Sequence, residues 1–371
     1  MLTQAAVFRS VGSPLSIEPI ELDAPKPTEV LVRIAAVGLC RTDLHVMRGE
    51  RRVAMTPMVL GHEAAGIVDA IGSAVTGIAV SDHVVLTFIP GCGRCRWCQQ
   101  GLHHLCAEGP RITQGPQLDG SYRRHDRDNR NVGAFCMIGG FAERTVVDQA
   151  SVVVIEHDIP FDLAGLVACG VPAGVGAARN RAKVKPGDSV LVVGVGGDGM
   201  NVVQGARLCG ASQIIAADIM PTKLAWAKEF GATHGINAIG EELTKAVLAL
   251  TGGVGVQHAF VCIDPPTTLL PAFRATAKAG NVVVTALTPD TVTEIKIPPL
   301  ELFVTQKAIM GAVYGFASPR LQIPELLGLY RKGAIKLREL ITRTYRLDEI
   351  NQGYADLDAG KNLRGVVVFD G

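Results

Sequence analysis

The run Val190-Leu191-Val192-Val193 is followed at once by Gly194-Val195-Gly196-Gly197-Asp198-Gly199 and then by a helix-compatible stretch through Leu208. A buried strand, a glycine turn and a helix in immediate succession leave few folds open. The first glycine turns the chain, the second keeps the backbone bare where a pyrophosphate would approach, and the last lets helix pack on strand with its N-terminus facing the phosphates. Gly197 lies between them at the helix start. A second strand, Gln213 to Ala217, ends at Asp218, nineteen residues beyond Gly199. A carboxylate at that distance accepts ribose hydroxyls and repels a 2′-phosphate. The turn therefore predicts a dinucleotide site, and with no arginine in Ile219-Met220 it favours NAD over NADP. Asp198 departs from the pattern, because a carboxylate beside a pyrophosphate is unfavourable unless it points away.

The alternation continues with a helix from Lys223 to Phe230, a strand near His258 to Cys262, a helix from Leu269 to Ala279 and a strand from Val282 to Val284. Such βαβ repetition builds a doubly wound parallel sheet, and the fold class is α/β. The first 160 residues instead hold short β-type runs broken by Gly and Pro, such as Val30 to Ile34, Ala65 to Val68 and His83 to Leu86. They predict an irregular β domain. A chain of 371 residues exceeds the size of a single core, and the expected division is 1–171, 172–314 and a segment 315–371 returning to the first domain. Leu163 to Ala178 is too interrupted to span a bilayer and reads as a buried junction. The charged stretch Asp119 to Arg130 reads as a solvated loop.

Thirty-six Lys and Arg nearly balance 35 Asp and Glu, which argues against nucleic-acid or membrane partners and for a small molecule. The N-terminus carries no secretory pattern, so the expected compartment is the cytoplasm, where nine cysteines point to metal or redox chemistry before disulfides. Cys92, Cys95, Cys98 and Cys106, in a lobe of about residues 91–107, can close an all-thiolate tetrahedron and so hold a structural zinc. Arg94 and Arg96 stand near enough in sequence to offset its charge. An iron-sulfur cluster is the alternative, though it shows other spacing. Cys40, His62 and Cys169 are candidate ligands for a second zinc whose fourth position stays open.

With these motifs in this order, the chain resembles the zinc-dependent medium-chain alcohol dehydrogenases from end to end. The segments that carry the likeness are Gly38 to His45, Gly61 to Gly66, the four-cysteine lobe, Cys169-Gly170 and the Gly194 to Gly199 turn. The resemblance implies a GroES-like catalytic domain and a Rossmann domain, two zinc ions per chain, NAD, and oxidation of an alcohol to an aldehyde or ketone. It implies Asp43 as the partner that orients the zinc histidine, Glu63 as the carboxylate behind the metal, Thr42 as the hydroxyl on the substrate alcohol and His45 as the end of a proton relay. Arg41 and Arg364 match arginines that hold the pyrophosphate, Lys223 a ribose contact, and Phe88, Phe135 and Val313 the substrate pocket.

Three local strings, Phe135 to Met137, Asn201 to Ala206 and Gly360 to Val366, resemble the actinobacterial nicotinoprotein (NDMA-dependent) branch, which keeps NAD bound and passes electrons to an external acceptor. The long excursion between Cys106 and Phe141 resembles that of family members that are dimers, and the strand from about Ala308 to Tyr314 would then lie at the homo-oligomer contact. Two alternatives stay open: a glutathione- or mycothiol-dependent formaldehyde dehydrogenase, for which Arg51 and Arg52 supply cations, and a non-catalytic zinc protein that senses NAD.

Overall fold

Strands rich in valine and isoleucine bury both faces in the second half of the chain, as parallel sheets require. The computed structural model describes residues 1–237, 240–263 and 265–369. It sets His234–Ile236, Gln213–Ala217, Ser189–Val193, Val256–Val261, Thr276–Val284 and Ala308–Gly311 side by side in that order, every neighbouring pair parallel. Numbered along the chain, these described strands run 3-2-1-4-5-6, the doubly wound order that opens a dinucleotide crevice beyond the carboxyl ends of its strands. Leu191, Ile215, Ala259, Val261, Phe273 and Val282 fill the core between this sheet and its helices.

Two compact units result. One comprises Met1–Cys169, Ser318–Gly328 and Leu337–Gly371, the other Gly170–Ala317 and Leu329–Lys336. In the first unit, strand Glu29–Gly38 is the hub. It pairs antiparallel with Glu63–Ile71, with Arg144–Asp148 and with the late strand Arg364–Val368, which sets Val366 opposite Gly38. The segments around Cys40 and His62 thus leave neighbouring strands at one end of the sheet. Phe8, Leu39, Phe141 and Tyr354 are among the side chains that pack the core beneath them.

Two expectations are corrected. The helix expected over Leu269 to Ala279 is Pro265–Ala275, and a strand takes over at Thr276. There the Thr276 hydroxyl caps the Ala272 carbonyl at 2.8 Å, and Ala279 adopts a left-handed φ of 59° that no helix accommodates. The stretch Asp119 to Arg130 is a solvated loop only at its ends, with Asp119, Gly120 and residues 127–130 exposed and the middle buried or half-buried. Arg124–His125 forms a strand against Ser16–Leu22, Arg123 is buried in a bidentate pair with Glu29 at 2.7 and 2.6 Å, and Arg124 is 1% exposed. Charge satisfied inside the fold outweighs hydration there. No helix among the described residues is long and apolar enough to cross a membrane.

Candidate active site

Cys40 ends the turn after Glu29–Gly38 and directly precedes helix Arg41–Met47. His62 stands just ahead of strand Glu63–Ile71, and Cys169 follows helix Phe161–Leu166. The packing of these elements brings ligand atoms of Cys40, His62, Glu63 and Cys169 within 4.8 Å of one another. His62 is 2% exposed and its Nδ1 lies 3.1 Å from Asp43, which leaves Nε2 for a metal. Asp43 is itself fully buried and accepts the Gly61 amide at 2.9 Å.

The electrostatics suit a dication. A hydrogen bond from Cys169 and the nearby His62 hold the Cys40 thiol well below its ordinary range, against the opposing effect of burial. Burial lowers the pKa of His62, but Asp43 and Cys40 outweigh it and the net direction is upward. Anionic sulfur and a buried carboxylate around an imidazole make a site that favours positive charge, and thiolate with imidazole is a donor set that zinc takes. Glu63, fully buried, is a further oxygen donor within range, and its Oε2 is hydrogen-bonded by Arg364. The arginine matched to pyrophosphate binding is therefore engaged behind the metal site, with its side chain 6% exposed.

Thr42 and His45 lie three residues apart on helix Arg41–Met47 and so share a face. The His45 Nδ1 meets the Glu50 carboxylate. Arg41 is exposed and reaches Asp358 at 4.0 Å. Phe88 and Phe135 both stand edge-on to the His62 ring, with centroids at 5.7 and 5.9 Å. Val313 belongs to the other unit and is 44% exposed.

In the four-cysteine lobe all ligand sulfurs fall within 4.8 Å of each other, and Cys92 and Cys98 are 3.9 Å apart. Zinc–sulfur bonds of about 2.3 Å at tetrahedral angles require sulfurs ~3.8 Å apart, and the Cys92–Cys98 spacing already matches that. Amides of Cys95, Cys98 and Ala107 point at the sulfurs at 3.4 to 3.5 Å. Of the two nearby arginines, Arg94 faces Glu108 at 4.0 Å and Arg96 lies over Trp97. Backbone amides lower Cys95 to about 6, while burial pushes Cys98 up to about 12 and raises Cys106. Four such thiols ionise together only around a cation.

The glycine turn combines a tight backbone bend with bare backbone at a helix start. Gly194 has φ 86°, and a Cβ on Gly199 would lie 1.9 Å from the Gly194 carbonyl oxygen, whereas nothing lies within 4 Å of the corresponding point on Gly196. Helix Gly197–Leu208 begins there. Asp218 is 7% exposed, and its oxygens accept the amides of Val195 at 3.1 Å and Met220 at 3.0 Å. Each oxygen keeps a lone pair for a ribose hydroxyl. Asp198 occupies the first turn of the helix, where the macrodipole favours a negative side chain. Lys223 lies in the first turn of Pro221–Phe230.

Residues 26–157 match the model of the alcohol dehydrogenase GroES-like domain and residues 197–331 that of the zinc-binding dehydrogenases. The chain belongs to the zinc-dependent medium-chain alcohol dehydrogenase family. It is an alcohol dehydrogenase, as its motifs predicted. This dehydrogenase is 41% identical to the NDMA-dependent alcohol dehydrogenase of Amycolatopsis methanolica over 99% of both chains. It is 36% identical to the S-(hydroxymethyl)glutathione dehydrogenase of Synechocystis over the full length of both chains. The crystal structure of benzyl alcohol dehydrogenase from Acinetobacter calcoaceticus superposes with a TM-score of 0.93 over the full length of both chains at 33% identity.

The sequence reading missed four residues of the dehydrogenase's site region. Glu50 sits five residues beyond His45, past the helix end, and a His-x4-Glu spacing is the one clue that existed. Tyr354 packs its buried hydroxyl toward Asp43, which together with burial raises its pKa well above the ordinary phenol value. Gln117 and Arg124 reach the turn that carries Phe135.

Proposed function

We propose that the dehydrogenase oxidises an alcohol, reversibly, at a zinc held by Cys40, His62 and Cys169, and passes the hydride to an NAD that it retains between turnovers. Zinc there supplies the Lewis acidity that lowers the pKa of an alcohol oxygen, and NAD supplies the hydride acceptor. Asp43 fixes the His62 tautomer so that Nε2 faces the metal. Glu63 with Arg364 balances charge behind it. The Thr42 hydroxyl accepts a hydrogen bond from the alcohol, and His45, oriented by Glu50, carries the proton outward. Gly194, Gly196, Gly197 and Gly199 cradle the pyrophosphate, and Asp218 and Lys223 hold the adenosine ribose. Phe88 and Phe135, edge-on to the His62 ring, line the alcohol pocket.

The observation that carries this reading is the convergence of Cys40, His62, Glu63 and Cys169 within 4.8 Å, with Asp43 behind the imidazole. Retention of NAD is supported by the greater identity to the NDMA-dependent relative than to the glutathione-linked one, 41% against 36%. The test is to denature purified protein, assay the supernatant for nicotinamide and for two zinc ions per chain, and compare turnover on free NAD with turnover on an artificial electron acceptor. Nucleotide-free protein that works well on added NAD alone refutes retention. The relative at 36% identity favours one second reading, thiol-dependent formaldehyde oxidation, marked by activity that requires glutathione or mycothiol.

A further inference from the structure

The turn that presents Phe135 to His62 is held in a conformation that its own residues disfavour. Cys136 has φ 57° and ψ 21°, Met137 has φ 58° and Gly139 φ 56°. Two consecutive non-glycine residues in the left-handed region are uncommon and persist only where the surroundings over-determine them. The surroundings here are two side chains from the excursion before the turn. Gln117, 1% exposed, donates from Nε2 to the carbonyls of Met137 at 3.0 Å and Val146 at 3.1 Å. Arg124 donates from Nη2 to the carbonyls of Ile138 at 2.7 Å and Gly139 at 3.5 Å and to the Thr145 hydroxyl, which itself donates to Ile138 at 2.5 Å.

Arg124 makes no ion pair with a carboxylate among the described residues, although it is 1% exposed. A buried cation of this kind is costly unless oxygens converge on it, and those that do so are the Ile138 and Gly139 carbonyls of the turn and the Thr145 hydroxyl that itself donates to Ile138. The guanidinium also packs over Gly139, where a Cβ would meet its Cζ and Nη2 at 3.1 Å. Burial lowers the Arg124 pKa to about 10, which still leaves it charged at neutral pH.

We infer that Arg124 and Gln117 are positioning residues that clamp the carbonyls of residues 137–139, fix the strained turn, and so hold the Phe135 edge against the His62 imidazole, setting which alcohols the zinc site accepts. The clamp touches neither substrate nor metal ligand. It acts through Phe135, whose ring stands 5.9 Å from that of His62 at 81°. Without it the turn relaxes toward ordinary backbone angles, the aromatic wall moves, and discrimination between bulky and small alcohols narrows. A second consequence is chemical. Cys136, 1% exposed within the turn, becomes reachable by thiol reagents once the clamp is gone.

The inference rests on the zinc site being the alcohol site, and its test separates the two. Full-length wild type, Arg124→Lys, Gln117→Leu and Phe135→Ala are compared for melting temperature, zinc content, labelling of Cys136 by a maleimide, and kcat/KM for benzyl alcohol relative to ethanol. Expected for Gln117→Leu and Arg124→Lys are native zinc content, at least tenfold faster Cys136 labelling, and a change of tenfold or more in the alcohol ratio carried mainly by KM. Adding either clamp variant to Phe135→Ala should change the ratio no further, because both act on one wall. An unchanged ratio in the clamp variants, or full additivity with Phe135→Ala, overturns the inference. Slow Cys136 labelling in folded Gln117→Leu overturns it without reference to turnover. Wild type that oxidises neither alcohol counts against the alcohol site, and the labelling result then decides the clamp. If Arg124→Lys does not fold, Gln117→Leu decides both readouts.

Discussion

Gly196 and Gly199 stand three residues apart in one turn, yet their substitution by alanine should have opposite consequences. At Gly199 the new methyl would lie 1.9 Å from the Gly194 oxygen and 2.9 Å from its carbonyl carbon. Ordinary contact begins at 3.4 Å, so the turn must open by about 1.5 Å. No side chain can swing aside, because the obstacle is backbone, and that backbone is anchored by the Gly194 amide on the Ala217 carbonyl at 2.8 Å. Overpacking of this kind costs about 1–3 kcal/mol. At roughly 2–4 °C per kcal/mol for a unit of this size, Gly199→Ala should lower the melting temperature of the nucleotide-binding unit by about 2–12 °C.

Gly196 has an ordinary φ of −77° and empty space around its Cβ position, so Gly196→Ala should alter stability by no more than about 1 kcal/mol, the usual range for a change at a helix N-cap. That empty space is nevertheless where a phosphate has to approach the backbone. A methyl there should weaken NAD binding by tenfold or more, which is about 1.4 kcal/mol. Melting is measured on nucleotide-free protein, since bound NAD raises the midpoint by linkage, and affinity by calorimetry. Native melting of Gly199→Ala, or native NAD affinity of Gly196→Ala, would refute the reasoning.

Zinc loading of the demetallated four-cysteine lobe at pH 7 should release protons from Cys98, pushed up to about 12, and from Cys106, also raised, whereas Cys95 at about 6 is already a thiolate. Affinity should therefore climb with pH, and calorimetry in buffers of different ionisation heat that finds less than one proton per zinc would contradict this. Asp218→Gly should narrow the preference for NAD over NADP by about tenfold, or ~1.4 kcal/mol, because it removes both the ribose acceptor and the repulsion of a 2′-phosphate; wild type that binds the two equally would show the assignment wrong. We expect a homodimer joined through the sheet edge Ala308–Gly311, whose outer side pairs with no strand among the described residues; sedimentation as a monomer at micromolar concentration would exclude it.

What could be read from the sequence divides along a physical line. Val190 to Val193, Gln213 to Ala217 and the Gly194 to Gly199 turn were legible because side-chain type decides them: branched apolar residues suit buried strands, and only glycine tolerates the Gly194 φ or the approach at Gly199. The two clusters of cysteine and histidine were legible for a related reason, since sulfur and imidazole chemistry belongs to the residue and survives any path of the chain. The end of helix Pro265–Ala275 was not, because Thr-Ala-Lys-Ala suits a helix, and the strand pairing of residues 276–284 overrode that propensity. Arg123 and Arg124 were misread for a deeper reason. Their charge is written in the sequence, but the groups that answer it are, for Arg123, a carboxylate 94 positions away together with the local Asp119, and for Arg124 the Thr145 hydroxyl and carbonyls, which any residue supplies. Carbonyl oxygens are identical in every residue. A cation satisfied by them leaves no pattern, so its neighbours Asp119, Asp126 and Arg130 make it look like one more solvated charge. Burial of Arg124 can only follow from where the turn at Ile138 and Gly139 comes to rest, and that position is fixed by sheet pairings from Ser16 to Asp148. The residues most open to confusion with surface are thus those that shape the wall beside the metal, where a local pattern would be expected to be clearest.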